Sequence, residues 1–381
     1  MNLLKTAYPE ECGLNPDRWK RALELVRQWT DQNDRVPAAA VMVGRRGSTP
    51  GPQFFGRQGI APDAPRIRDD AIFLVASITK PIVAMGTMLL IERGQLTLND
   101  RIADYLPEFG KKGKYGTTIR NLLTHTSGLP DMLPNNVELR KAKSSLSDFV
   151  TATCAITPDF PPGRAVQYQS MGIAVLAAIM EQIAAVPCAE FLRREFFQPL
   201  AMHDTRLGAP DEWLAGHHPA CDRIAEIRVP SEQIGADWNW NSRYWRQLGA
   251  PWGGLLTTPA DLAQFAQMML NHGRIGQDRI LSRSSVIEAT RNQLTVMKEV
   301  PDEDRRYRPW GFGWRLQWPS HANTFGDLVS PSCYGHWGAT GTLLWIDPET
   351  DSFAILLTTQ PLDPNGAPFQ RLSNAIVGAF E

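Results

Sequence analysis

Cysteine is scarce in this chain of 381 residues: Cys12, Cys154, Cys188, Cys221 and Cys333 are all there is. Their odd number and wide spacing fit free thiols and exclude a disulfide-stapled framework. Metal-ligand spacing is missing too. The seven histidines are scattered, His217-His218 is the one adjacent pair, and there is no His-Glu-x-x-His or Cys-x-x-Cys. No metal and no cofactor is expected. No apolar run approaches the roughly 18 residues of a membrane helix, so no membrane span is expected. Charge of one sign is absent as well. A net charge of -1 points neither to nucleic acid nor to an anionic membrane as partner. The opening residues, MNLLKTAYPEECG, lack the apolar core of a secretory signal, and the expectation is a cytoplasmic protein. No internal repeat or low-complexity segment is present.

What remains is a globular composition, 43% hydrophobic and 21% charged, long enough for one large domain or two intimate ones. Asn15-Pro16 reads as an N-cap with Pro at the first helical position, opening a helix to about Asp31. Residues 38–43 read as a buried strand. Helix signals follow at Thr118 to Leu123, Ser147 to Ala155 and Met171 to Ala184. Thr258-Pro259 opens another helix that ends near Gly273. The C-terminal third changes character. Gly311 to Trp318 alternates with period two, as a half-buried strand does. Leu343 to Ile346 and Phe353 to Leu357 flank a turn at Pro348 to Asp351. A last helix is expected from Phe369 to Phe380, with loops at 131–136 and 361–368. Strands gather at the two ends and helices in the middle. The pattern predicts an α/β (α+β) fold, an antiparallel sheet built from both termini with a helical region inserted. The expected boundaries are about 1–96 and 251–381 for the α/β part and 97–250 for the helical part.

Ser77 and Lys80 lie three residues apart in AIFLVASITKPIVAMGTMLLIERG. On a helix, positions i and i+3 share a face. Pro81 is tolerated only near a first turn, which starts the helix close to Ser77, and Gly94 is a plausible stop. A serine at a helix mouth then has a lysine amine beside its hydroxyl. Desolvation lowers an amine's pKa, so this lysine could take the serine's proton. Alone, the pair also fits an exposed helical serine and lysine. Two further segments bear on the choice. Tyr168, in Pro161-Pro162-Gly163-Arg164-Ala165-Val166-Gln167-Tyr168-Gln169-Ser170, lies in a loop entering the helix at Met171; a phenol near a lysine can relay a proton. Gly335-His336-Trp337-Gly338-Ala339-Thr340-Gly341-Thr342 leads into a strand, and its small residues permit close backbone approach. The N–H groups of Ser77 and Ala339 could form an oxyanion hole. Each segment also has a plain reading, as packing or as a turn.

Together the three segments resemble the penicillin-recognising serine hydrolases: class C β-lactamases, D-alanyl-D-alanine carboxypeptidases, D-aminopeptidases and family VIII carboxylesterases. Leu122-Leu123-Thr124-His125-Thr126-Ser127-Gly128-Leu129-Pro130 and Trp252-Gly253-Gly254-Leu255-Leu256-Thr257-Thr258 resemble other recurrent segments of that family. The resemblance spans nearly the whole chain. It implies a β-lactamase/transpeptidase-like fold with the site between an α/β and an all-α part. It also implies Ser77 as acylated nucleophile, Lys80 as base or electrostatic partner, Tyr168 as proton shuttle, and His336-Trp337-Gly338 in the place of Lys-Thr-Gly.

The chain departs from the family pattern at three residues of two motifs. Ser170 stands where Tyr-x-Asn has its asparagine, and has no NH2 donors. His336 stands where the family has a permanent cation; at its ordinary pKa about a quarter would be protonated at pH 7. Trp337 replaces a small hydroxyl residue. These changes favour a neutral, apolar ester or amide over an anionic β-lactam. Trp238, Trp240, Tyr244 and Trp245 cluster in a stretch without periodicity. They fill a core, or Trp240 and Trp245 form an aromatic wall for substrate. The leading expectation is a carboxylesterase acting on small esters through a Ser77 acyl-enzyme. A β-lactamase or D-amino-acid amidase with the same machinery is the alternative, and a non-catalytic binding or assembly protein is a third. The partner expected is a small-molecule ester, amide or lactam. An α/β-hydrolase is disfavoured, because Ser77 follows Val75-Ala76 with no Gly-x-Ser-x-Gly elbow.

Overall fold

The computed structural model describes residues 3–32, 34–318, 325–361 and 367–381. Its main sheet has eight strands. Along it run Lys5–Thr6, Ser48–Thr49, Ala38–Arg45, Ser352–Thr358, Thr342–Asp347, Tyr334–Gly338 and Arg315–Leu316, with Gln53–Gly56 also paired to Ala38–Arg45. The pairs are antiparallel except the short edge pair Lys5–Thr6 with Ser48–Thr49. N-terminal and C-terminal strands meet at the centre, where Met42 pairs with Ile355. The Ala38–Arg45, Thr342–Asp347 and Ser352–Thr358 strands are buried at every position, which explains their unbroken apolar runs rather than alternation.

Each face of the sheet is covered. The Pro16–Arg27 and Ala367–Val377 helices pack together. With Val41, Val43, Leu343, Trp345 and Leu356 they form one core. The Pro259–Leu270 helix covers the other face and belongs to a larger core with the Thr79–Glu92 and Met171–Ala184 helices. Caps follow the sequence signals. The Asn15 side chain accepts from Arg18 N–H ahead of Pro16, and the Thr258 side chain accepts from Asp261 N–H ahead of Pro259. No single helix among the described residues is long and apolar enough to cross a bilayer.

One expected strand is far shorter. Of Gly311 to Trp318 only Arg315–Leu316 pairs into the sheet. Gly313 has φ of 74°, and a Cβ on it would lie 2.3 Å from the Ala84 side chain. The alternation there reflects a loop laid tightly on the Thr79–Glu92 helix, not a pleat. At the C-terminus residues 362–366 of the expected 361–368 loop lie outside the described residues, and Pro368 is already helical.

Candidate active site

A strained turn carries Ser77. Ala76 has φ of 46°, a conformation that β-carbon residues avoid. It is locked from several sides. Thr79 Oγ1 donates to Ala76 O at 2.6 Å and accepts from Leu255 N–H at 3.1 Å. Val75 N–H donates to Leu255 O at 3.0 Å. Thr340 Oγ1 donates to Leu74 O at 2.7 Å, and Thr342 Oγ1 to Val75 O at 2.8 Å. These two threonines pin the turn after the Tyr334–Gly338 strand against the serine turn. A Cβ on Gly338 would stand 2.3 Å from Val75 O, so only glycine permits the approach. The clamp sets the turn that carries Ala339 against the turn that carries Ser77.

Lys80 is one turn further on, 1% exposed. Its Nζ donates to Ser77 Oγ at 2.7 Å and to Trp252 O at 2.8 Å. Burial pushes the amine down to about 7, opposed by the Asp131 carboxylate. A sizeable fraction is therefore neutral at pH 7 and able to accept the serine proton. Lys80 Nζ also sits 4.8 Å from the Tyr168 ring centroid. The Tyr168 hydroxyl is buried and approaches Ser77 without completing a well-aligned hydrogen bond. Burial, then the Asp131 charge, raise the phenol well above its ordinary value. It stays protonated, which leaves Lys80 able to accept a proton and Tyr168 able to relay one.

Tyr168 is seated by the Leu122 to Pro130 segment, whose purpose the sequence left unstated. His125, fully buried with φ of 59°, takes the Gln169 N–H on Nδ1 at 3.2 Å. Its carbonyl accepts from Gln167 N–H at 2.9 Å. Gln169 Nε2 donates to Leu122 O at 3.0 Å, and the Ser127 hydroxyl donates to Gln169 Oε1. Burial, then the Lys80 charge, lower His125 to about 3.

His336 differs from the expected partly protonated cation. It is fully buried, and desolvation, then the Lys80 charge, hold it well below its ordinary value. Nδ1 lies 2.7 Å from the Trp337 carbonyl and must donate to it, leaving Nε2 a bare acceptor without a partner. The imidazole is neutral. Trp337 lies on the site side, its ring stacked 5.7 Å from Tyr168 and 5.0 Å from His336. Behind it the Arg315 guanidinium, 2% exposed, sits 4.8 Å from the Trp337 ring and 3.9 Å from the Trp318 ring.

Two expected wall residues are elsewhere. Trp245 is 4% exposed, edge-on to Trp252 at 6.5 Å and 4.3 Å from the Arg140 guanidinium. It packs a layer behind Lys80, and Trp240 packs partly buried against the main core. The rings nearest Tyr168 and His336 are the buried Trp310 and the half-buried Trp337. Trp310 lies 4.3 Å from His125, 5.9 Å from Tyr168 and 6.4 Å from Trp337. It precedes the Gly311 to Trp318 stretch and carried no signal of its own. Ser170, expected to face substrate, instead gives its hydroxyl to Asp131 Oδ1 at 2.6 Å. Asp131 was also missed: a loop acid has no local signal, and only the fold brings it here.

A Beta-lactamase family model matches residues 25–378. A Salmonella heidelberg (strain SL476) protein named "Putative D-alanyl-D-alanine carboxypeptidase" is 27% identical over 324 residues, 80% of this chain and 72% of its own length. A crystal structure of a family VIII carboxylesterase superposes with a TM-score of 0.75 at 20% identity, covering 97% of this chain and 99% of that one. A penicillin-binding protein homologue from Caulobacter crescentus gives 0.76 at 20% identity, with the same shares of 97% and 99%. At such identity these two likenesses establish the fold.

Proposed function

Because the chain belongs to the Beta-lactamase family and is a serine hydrolase of the β-lactamase and penicillin-binding-protein superfamily, we propose that it is a carboxylesterase acting on small, uncharged, apolar esters. Ser77 attacks the ester carbonyl while Lys80 takes its proton. The oxyanion rests on the Ser77 and Ala339 N–H groups, and Tyr168 passes a proton to the leaving alcohol. Water then releases the acyl group from Ser77.

The observation that carries the ester preference is the neutral, buried His336 beside the Trp337 indole. A β-lactam or a C-terminal D-alanine brings a carboxylate, which wants a cation in this slot. The slot offers an imidazole acceptor and an apolar ring. The Arg315 charge is nearby but wrapped by Trp318 and Trp337. A neutral acyl chain meets the Trp337 indole with no unpaired charge to accommodate.

The test compares kcat/KM for p-nitrophenyl butyrate and for nitrocefin. The ester is expected to exceed the lactam by about 100-fold or more, the discrimination typical of a site with mismatched polar groups. Nitrocefin turnover equal to or above the ester rate would reassign the enzyme as a β-lactamase.

A further inference from the structure

The strand that carries His336 and Trp337 also fixes a buried cation beside them. Arg315 pairs opposite Gly335 in the sheet, and Trp337 lies two positions further along that strand. Side chains at i and i+2 of a strand leave the same face, and the diagonal neighbour on the paired strand is within reach of a long side chain. Gly335 puts no side chain between the two. Register therefore delivers the Arg315 guanidinium to the Trp337 ring, 4.8 Å from its centroid. The guanidinium also meets Trp318 at 3.9 Å and Phe325 at 5.3 Å. Arg315 is 2% exposed. Burial lowers it to about 9, so it remains a cation at neutral pH.

Of these three rings, Trp337 is the one that also meets Tyr168 and His336. Its indole stacks on Tyr168 at 5.7 Å, with 25° between the planes, and on His336 at 5.0 Å. Both partners are uncharged. One half-buried ring is thus shared between uncharged groups of the site and a buried positive charge. The face of an indole attracts a cation, which holds ring and guanidinium together. A guanidinium has five N–H donors, and two of them serve a carboxylate in addition to partners already held.

We propose that Trp337 is a specificity-determining residue: its indole screens the Arg315 guanidinium from the substrate, so that an acyl group ending in a carboxylate finds no cation and is refused. With a small hydroxyl side chain at position 337, as in the family pattern, the guanidinium faces the substrate and the preference turns toward anionic acyl groups. The inference rests on the ester reading above and adds to it the residue that sets the charge of the substrate.

The experiment measures kcat/KM for the mono-p-nitrophenyl esters of glutaric, adipic and pimelic acids, each against the p-nitrophenyl ester of the monoacid of equal chain length. The ratio of anionic to neutral ester cancels a general loss of activity, which is all that a merely structural role of Trp337 produces. For Trp337→Ser the ratio is expected to rise about 10-fold or more at one chain length at least, the effect of gaining a charge-assisted pair. Trp337→Ser combined with Arg315→Met is expected to return to the wild-type ratio, and Trp337→Phe, which keeps a ring, to stay at it. Trp337→Leu retains apolar contact with the core under this strand. It is expected to move the ratio the same way by less, and it carries the test if the serine variant does not fold. A ratio unmoved in both variants, or a rise that persists without Arg315, overturns the inference and leaves the esterase reading standing. Wild-type protein that hydrolyses the anionic esters as fast as the neutral ones overturns both. Wild-type protein that hydrolyses no ester overturns the esterase reading alone. Nitrocefin, which also carries a carboxylate, then replaces the anionic esters, and its kcat/KM is expected to rise about 10-fold in Trp337→Ser and to fall back without Arg315.

Discussion

Lys80→Met is expected to lose about 10³- to 10⁴-fold in kcat/KM toward p-nitrophenyl butyrate, the upper range for removing a general base, while making the protein more stable. The two effects have one cause. Lys80 is buried, and its amine is brought from 10.5 to about 7. Keeping a lysine neutral over that interval opposes folding by roughly 5 kcal/mol at about 1.4 kcal/mol per pH unit. Methionine fills similar volume without that penalty. It leaves Trp252 O without its Lys80 donor, which gives back about 1–3 kcal/mol, so the net gain expected is about 2–4 kcal/mol. The pH dependence has a definite sign. Between about 7 and 10.5 the unfolded chain binds the lysine proton and the folded chain does not, so wild-type stability rises with pH across that window. The advantage of Lys80→Met is therefore largest at or below pH 7 and shrinks toward pH 10. Urea midpoints of both proteins at pH 6.5 and 9.5 measure it. A less stable variant at pH 6.5, or near wild-type turnover, contradicts the assignment.

Gly338→Ala is the second large effect. The new Cβ would stand 2.2 Å from Thr342 Oγ1, 2.3 Å from Val75 O and 3.2 Å from the Ala76 Cβ. All three belong to the clamp that holds the serine turn against the strand. Val75 O cannot yield without dragging the Ala76 turn, whose φ of 46° is already unusual. The strand must move outward, and the Ala339 N–H moves with it. Loss of one oxyanion donor is worth about 10²- to 10³-fold in kcat, and the overpacking should destabilise by about 1–3 kcal/mol. Steady-state kinetics with a thermal melt separates the two. Wild-type kcat in a folded Gly338→Ala protein would remove Ala339 from the oxyanion site.

Local chemistry is what the sequence made legible. Ser77 and Lys80 could be paired because a helix fixes i and i+3 on one face, and Pro81 marked where that helix begins. The structure agrees, with the Thr79–Glu92 helix and a 2.7 Å contact between the two side chains. The central strands were legible as apolar runs, and the Asn15 and Thr258 caps as side-chain chemistry. Charge state and long-range placement were not legible. His336 read as a partly protonated histidine because burial is a property of the fold. Asp131 read as loop because its tie to Ser170 spans 39 positions. Trp245 is packed away from the role expected for it, and Trp310, for which nothing was expected, packs with His125, Tyr168 and Trp337. An aromatic cluster in sequence marked packing around Arg140.

The central claim is a covalent acyl-serine at Ser77, and rapid quenching during p-nitrophenyl butyrate turnover tests it most directly. Wild-type enzyme is expected to carry a butyryl group on the peptide containing Ser77, and Ser77→Ala to show neither adduct nor turnover above background. Turnover that survives in Ser77→Ala, or an adduct on a different residue, would contradict the account.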